Sequence, residues 1–151
     1  MELKDMWPLI NEVISTGGEF RMAPHGNSML PLIRPNIDEV VLVAPNNLKK
    51  HDIVLFRRDD GKFVLHRLML IKKDEYLMCG DNQRFYETDI KSENILAKVK
   101  SIYRDGVLVD LESKEYKKYV KCFARQVARA DFRLKLSILK CKIFGKKKTT
   151  N

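Results

Sequence analysis

From Phe20 to Val109 the chain breaks into eight short β-prone runs parted by turn residues, and that rhythm constrains the fold more than any other feature. The runs are Phe20–Ala23, Glu39–Val43, Asp52–Phe56, Lys62–His66, Leu68–Ile71, Tyr76–Cys79, Ile95–Val99 and Val107–Val109. Asp59-Asp60-Gly61 and Arg104-Asp105-Gly106 each contain an Asp-Gly step, which accepts the positive φ of a tight hairpin turn. Pro45-Asn46-Asn47 and Lys72-Lys73-Asp74 punctuate other runs. Short strands joined by tight turns pair with their neighbours, so a mainly β, antiparallel domain is expected over 19–112.

A helical period takes over at both ends. Leu3, Met6, Trp7, Leu9, Ile10, Val13 and Ile14 recur at three and four spacings, and Gly17-Gly18 stops the pattern, which predicts a short N-terminal helix within 1–18. Tyr116, Val120, Phe123, Val127, Ala130, Leu134, Ile138 and Cys141 predict a long amphipathic helix within 113–151, with a break expected near Asp131.

The formal charge of +9 is unevenly placed. Residues 114–148 hold 13 Lys/Arg against Glu115 and Asp131, while the rest holds 16 basic against 18 acidic residues. The basic tail reads first as a solvated helix that covers the sheet. Because Phe123, Leu134, Leu136, Ile138, Leu139, Ile143 and Phe144 sit among lysines and arginines it also suits an anionic membrane surface as partner, and an acidic leader peptide docking on it is a further alternative. No helix-turn-helix, zinc finger or aromatic platform accompanies the charge, which argues against nucleic acid. Cys79, Cys122 and Cys141 are odd in number and lack C-x-x-C spacing, so neither a disulfide framework nor a metal site is expected, and no cofactor motif is present. No run approaches the roughly 18–20 apolar residues of a membrane span, and Met1–Asp5 does not open a secretory leader. The expected location is cytoplasmic, with peripheral attachment at the inner membrane face through the tail.

Chemistry-bearing residues concentrate at three stations. Ser28 follows Gly26-Asn27 and precedes Met29-Leu30-Pro31, in a segment where glycine allows close backbone approach and proline fixes the exit. A serine hydroxyl needs a neighbouring base to attack a carbonyl, and His66, with an ordinary imidazole pKa of about 6.5, suits that role. Gly80-Asp81-Asn82 is the third station, a turn able to brace the other two. Lys62, four residues before His66 on the same strand face, is the fallback base. His25, His51 and Cys79 read as structural.

Four boxes in this order resemble the signal peptidase I and SOS-repressor (LexA-like) serine peptidase superfamily. Ser28-Met29-x-Pro31 is similar to its nucleophile box, Lys50–Phe56 to its Gly-Asp-hydrophobic strand, Val64-Leu65-His66-Arg67 to its base box and Cys79-Gly80-Asp81-Asn82 to its Gly-Asp-Asn loop. The His66-Arg67 pair resembles the archaeal and endoplasmic-reticulum signal peptidases, and Gly26-x-Ser28-Met29 the repressor branch. The resemblance covers Phe20 to Lys100 and implies a LexA/signal-peptidase-like fold and a serine endopeptidase acting on an extended peptide or protein precursor. It implies Ser28 as nucleophile and His66 as general base, with Gly26, Asn27, Met29, Pro31 and Arg67 around the oxyanion and substrate strand. Two departures stand out. His51 occupies the glycine position of the strand box, and the acidic residue that orients the base is unmatched, with Glu87 and Asp89 equal candidates and Asp81 first a loop organiser. A non-catalytic peptide-binding module and an autoproteolytic switch remain as alternatives.

Overall fold

Why the middle of the chain forms one sheet is visible in its pairing. The computed structural model describes residues 3–73 and 75–145, with the side chains of the last helix described as far as 136. Its strands are β1 (Phe20–Met22), β2 (Glu39–Val43), β3 (Ile53–Arg57), β4 (Phe63–Lys72), β5 (Glu75–Cys79), β6 (Glu87–Lys91), β7 (Ile95–Arg104) and β8 (Val107–Leu108). They pair antiparallel in the order β1-β2-β7-β3-β4-β5-β6, with β8 on β7. The protein is thus mainly antiparallel β, with a short N-terminal helix and a long C-terminal helix.

The strand count matches the sequence expectation through two compensating differences. Lys62–His66 and Leu68–Ile71 are not two strands but the single β4, because Arg67, the charged residue that divides the apolar pattern, is buried in line with its neighbours. Conversely β6 is absent from the expected runs. Its sequence, Glu87-Thr88-Asp89-Ile90-Lys91, has a single apolar residue and lies at the edge of the sheet, where charged side chains discourage further pairing.

Helix α1 (Leu3–Ser15) buries Ile10 and Ile14, one turn apart, against a cluster that includes Val40, Leu42, Ile53, Leu55 and Ile102. Its end is closed by Gly17, whose φ of 85° lets the chain reverse while Gly17 and Gly18 donate to the carbonyls of Ile14 and Val13. Helix α2 (Lys114–Gly145) runs through Asp131 without the expected break, and Asp131 is paired with Lys135 one turn on, at 2.7 Å. Phe123 and Val127 pack on Met69 and Cys79 and so fasten this helix to β4 and β5. Each such side chain contributes about 1.5–3 kcal/mol of burial. Phe123 is therefore committed to the core rather than to a lipid surface, while Ile138, Leu139, Ile143 and Phe144 lie outside the described side chains. Among the described residues no helix is long and apolar enough to cross a membrane.

Candidate active site

Between β1 and β2 runs a loop, residues 23–38, that carries Ser28, and its shape is set by several anchors. Gly26 has a φ of 87°, a left-handed conformation that costs glycine nothing. Met29 is buried in the main core, and Ile33 N–H donates to the Met29 carbonyl, closing a helical turn just after the serine. Asp38, fully buried, accepts from the Arg34 backbone and guanidinium, and Arg34 also reaches Asp105 at 2.7 Å. The Asp38 carboxyl is held below its ordinary pKa by its hydrogen bond from Arg34, against burial. Arg104 donates to the Pro31 carbonyl at 3.2 Å. Met29 secures the loop through its buried side chain and also lines the serine cavity, while Pro31, exposed, accepts from Arg104 through its carbonyl.

The Gly80-Asp81-Asn82 turn grips the same loop from the other side. Asn82 N–H donates to the Ser28 carbonyl at 2.7 Å, and the Asn82 side-chain amide donates to the Asn27 carbonyl at 3.1 Å. Gly80 cannot be replaced without a shift. A Cβ built there would lie 2.6 Å from the Ser28 carbonyl oxygen and 3.0 Å from His66 Nε2. The loop, the turn and His66 are therefore packed to the limit that a glycine allows.

His66 lies on β4, opposite Val54 of β3, and is 1% exposed. On its other side β5 ends at Cys79, opposite Arg67, so β4 runs on alone from His66 back to Phe63 and the imidazole sits where its neighbour has just ended. Glu87, at the start of β6, reaches across that gap. Its Oε1 lies 3.0 Å from His66 Nδ1, at contact distance but off the line of a well-aligned N–H···O bond, so the pairing is chiefly electrostatic. With Nδ1 turned to Glu87, Nε2 is the ring nitrogen left for the Ser28 side. A cavity of about 260 Å³ brings Ser28, His66, Gly26 and Asn27 together, with Arg58 and Gln83 also on its wall. No hydrogen bond joins Ser28 to the imidazole among the described residues.

Of the two candidates for orienting the base, only Glu87 approaches it. Asp89 is exposed, has a φ of 64° that breaks the alternation of β6, and accepts from the Thr88 hydroxyl instead. Arg58 completes the cluster, donating to Glu87 Oε2 at 2.8 Å and to Oε1. Burial pushes the Glu87 carboxyl up, but the adjoining His66 and the hydrogen bonds from Arg58 outweigh it and bring the pKa down to about 2. Glu87 is therefore a carboxylate throughout the neutral range.

Arg58 is a member of this cluster that the sequence motifs do not single out. The signal was present in the alternation: Val54, Phe56 and Arg58 share a strand face, and Val54 pairs with His66. Lys62 shares that face too, but its ammonium is exposed and pairs with Asp60 at 3.2 Å, outside the serine cavity.

Arg67 does not face a substrate. It is fully buried, with Nε and Nη2 donating to the two oxygens of Asp81 at 2.8 and 2.7 Å. Its remaining nitrogen donates to the His51 carbonyl at 2.9 Å and to the Tyr116 hydroxyl at 3.0 Å, while Tyr119 donates to Asp81 Oδ2 at 2.9 Å. Asp81 is thus the internal anchor of the Gly80–Asn82 turn and does not touch His66. Burial raises the Tyr119 hydroxyl above its ordinary pKa, and the neighbouring Asp81 charge adds to the shift. Cys79, beside the turn, is fully buried, and burial pushes its thiol up to about 12, which leaves it no thiolate with which to attack. His51, standing where the strand box has glycine, has a φ of 78°, the conformation glycine would adopt freely. Among the described residues no group of three or more His, Cys, Asp or Glu is arranged to hold a metal ion.

No family model matches the chain. It is 25% identical over 107 residues to the LexA repressor of Lactobacillus acidophilus, a match that covers 70% of this chain and 51% of that protein. The chain therefore spans about half the length of the curated relative it matches. The likeness is to the LexA-like superfamily, and the antiparallel sheet flanked by an N-terminal and a C-terminal helix agrees with it.

Proposed function

We propose that this chain is a serine endopeptidase that hydrolyses a peptide bond in an extended peptide or protein precursor. The observation that carries the reading is His66, buried between Glu87, ionised at neutral pH, and the cavity it shares with Ser28. An imidazole with Nδ1 against a carboxylate presents Nε2 as acceptor, and the same carboxylate stabilises the imidazolium formed when a proton arrives.

In the proposed reaction the Ser28 hydroxyl adds to the scissile carbonyl as its proton passes to His66 Nε2. The Ser28 backbone N–H, which has no acceptor among the described residues, donates to the resulting oxyanion. Collapse expels the amine, which takes the proton from His66 and leaves an acyl ester on Ser28. Water, deprotonated by His66, then releases the acid and restores the hydroxyl. Glu87 does not change protonation; it holds the ring and its charge. Arg58 fixes Glu87 in turn.

The proposed approach to membranes rests on the far half of α2. Its first turns are occupied by the sheet, whereas Phe132, Leu134 and Leu136 are exposed among Arg129, Arg133 and Lys135, which suits an anionic lipid surface.

Intact-protein mass spectrometry after incubation with a serine-directed phosphonate tests the reaction. Wild type is expected to gain one adduct, mapped to Ser28, while Ser28→Ala and His66→Ala gain none. Ser28→Ala should melt with wild type, so its silence reports chemistry rather than unfolding. An adduct on Ser28→Ala, or none on wild type, would leave only a peptide-binding module of the same fold.

A further inference from the structure

A cavity larger than the serine site lies elsewhere among the described residues. A groove of about 970 Å³ lies between α2 and the part of the sheet formed by β2, β7 and β3. Its floor is apolar, with Val43, Ile53, Val99 and Val120 among its lining residues. Its walls are basic. Along α2 stand Lys117, Lys121 and Arg125, four residues apart and therefore spaced by about 6 Å along one helix face. Across from them Lys98 and Lys100 lie two apart on β7, about 7 Å from one another along the strand. Lys49 and Lys50 add to this side. Three of these cations are already paired, Lys98 with Asp52, Lys100 with Glu19 and Lys117 with Glu112. Among the described residues Lys49, Lys50, Lys121 and Arg125 have no carboxylate within ion-pair reach.

We propose that this groove binds an acidic amphipathic helix, a segment of a protein or peptide whose apolar stripe is flanked by carboxylates. Three features select that occupant. The unpaired cations are spread over the groove, Lys121 and Arg125 one turn apart on α2 and Lys49 and Lys50 ahead of β3, so they match charge repeated along a ligand and not the single charged end of a lipid. The repeat of about 6 Å on α2 is that of side chains four apart on another helix. The strands beneath the groove are already paired on both edges, so an extended peptide finds no free backbone partners there, whereas a helix satisfies its own. This binding does not depend on the peptidase reading.

The groove also touches the apparatus that holds the serine loop. His51 and Tyr116 line it, and both bond to Arg67, the partner of Asp81. A bound helix would rest on residues that secure the Gly80–Asn82 turn.

The test uses the full chain carrying Ser28→Ala, so that cleavage cannot confuse it. A fluorescein-labelled peptide of about 18 residues, with a Leu/Ala stripe between Glu rows, is titrated and followed by anisotropy. It is expected to bind and to weaken as salt rises from about 50 to 200 mM. A twin with Lys in place of Glu should not bind, and a scrambled peptide of equal charge should bind about tenfold or more weakly. Lys121→Glu with Arg125→Glu, both at exposed positions, should weaken binding about tenfold or more, while Arg133→Glu, beyond the groove, should not. Equal binding by the scrambled peptide, indifference to the double reversal, or retention by phosphatidylglycerol vesicles with no peptide binding would each overturn the proposal. Peptide binding with no phosphonate adduct on wild type would leave the groove assigned and the peptidase reading refuted.

Discussion

His66 and Arg67 are adjacent on β4 and equally inaccessible, 1% and 0% exposed, yet they are buried for opposite purposes. His66 faces a gap where β5 has ended, with one nitrogen turned to Glu87 and the other toward the cavity of Ser28. Arg67 faces α2, and every nitrogen of its guanidinium is bonded: two to Asp81 and one shared between His51 and Tyr116. Strand alternation alone sends the two side chains to opposite faces. Burial is therefore no guide to role. What separates a poised group from a locked one is whether a hydrogen-bonding atom is left unspent and turned toward a cavity.

The comparison breaks first at Asp81. Asp81→Ala leaves the Arg67 charge buried without its partner, and the expected loss is about 3–5 kcal/mol in urea denaturation. Arg67→Met combined with Asp81→Leu removes both charges and should recover most of that loss. The locked side also positions the Asn82 donor to Ser28, so Asp81→Ala should slow phosphonate labelling as well as weaken the fold. Labelling at the wild-type rate would show that the two faces of β4 are independent.

The poised side has the complementary signature. Glu87→Gln keeps the size of the side chain but removes the charge that stabilises the imidazolium, so labelling of Ser28 should fall by about a hundredfold to a thousandfold. Acid titration sharpens the contrast. The Glu87 pKa is about 2 in the folded protein against an ordinary 4.5, so the unfolded chain binds more protons between those values. Stability from this carboxylate is complete above pH 4.5 and drains away as pH falls toward 2. Wild type should lose that increment on acidification and Glu87→Gln should not, in denaturation midpoints taken across the range. Tyr119→Phe then probes the locked side gently. Loss of its hydrogen bond to Asp81 should cost about 1.5 kcal/mol while leaving the labelling rate within about twofold.

How much of this was legible beforehand depends on the range of the interaction. The hairpin turns, α1 with its Gly17 stop and the antiparallel β class follow from local patterns, and they could be read directly. Strand β6 could not, because Glu87-Thr88-Asp89-Ile90-Lys91 owes its conformation to pairing with β5 rather than to its own residues. The same holds at the site. Ser28, His66 and the Gly80–Asn82 turn carry recognisable neighbours in sequence, but the choice between Glu87 and Asp89 turns on a φ of 64° at Asp89, which no pattern of side chains reveals. Arg67 resembled a site residue because it adjoins His66, and only the placement of α2 shows that Tyr116 and Tyr119 enclose it.

His51 offers the smallest test and joins both sides. Its φ of 78° is unfavourable for a side chain with a Cβ, and its Nε2 is buried with no partner among the described residues, while its carbonyl holds Arg67. Burial, with the charges of Lys50 and Arg67, lowers the His51 pKa from its ordinary 6.5. The folded protein thus favours neutral imidazole, and this contribution to stability is present above pH 6.5 and lost as pH falls below it. His51→Gly relieves the backbone, discards the unpaired nitrogen and retains the carbonyl, at the cost of greater freedom in the unfolded chain. The net gain should be about 0.5 kcal/mol at neutral to mildly alkaline pH, and it should grow on acidification below 6.5 as wild type alone carries the protonation penalty. A gain that stays constant with pH would mean that the imidazole is solvated in the native state, and that the strain at this turn is purely a matter of backbone conformation.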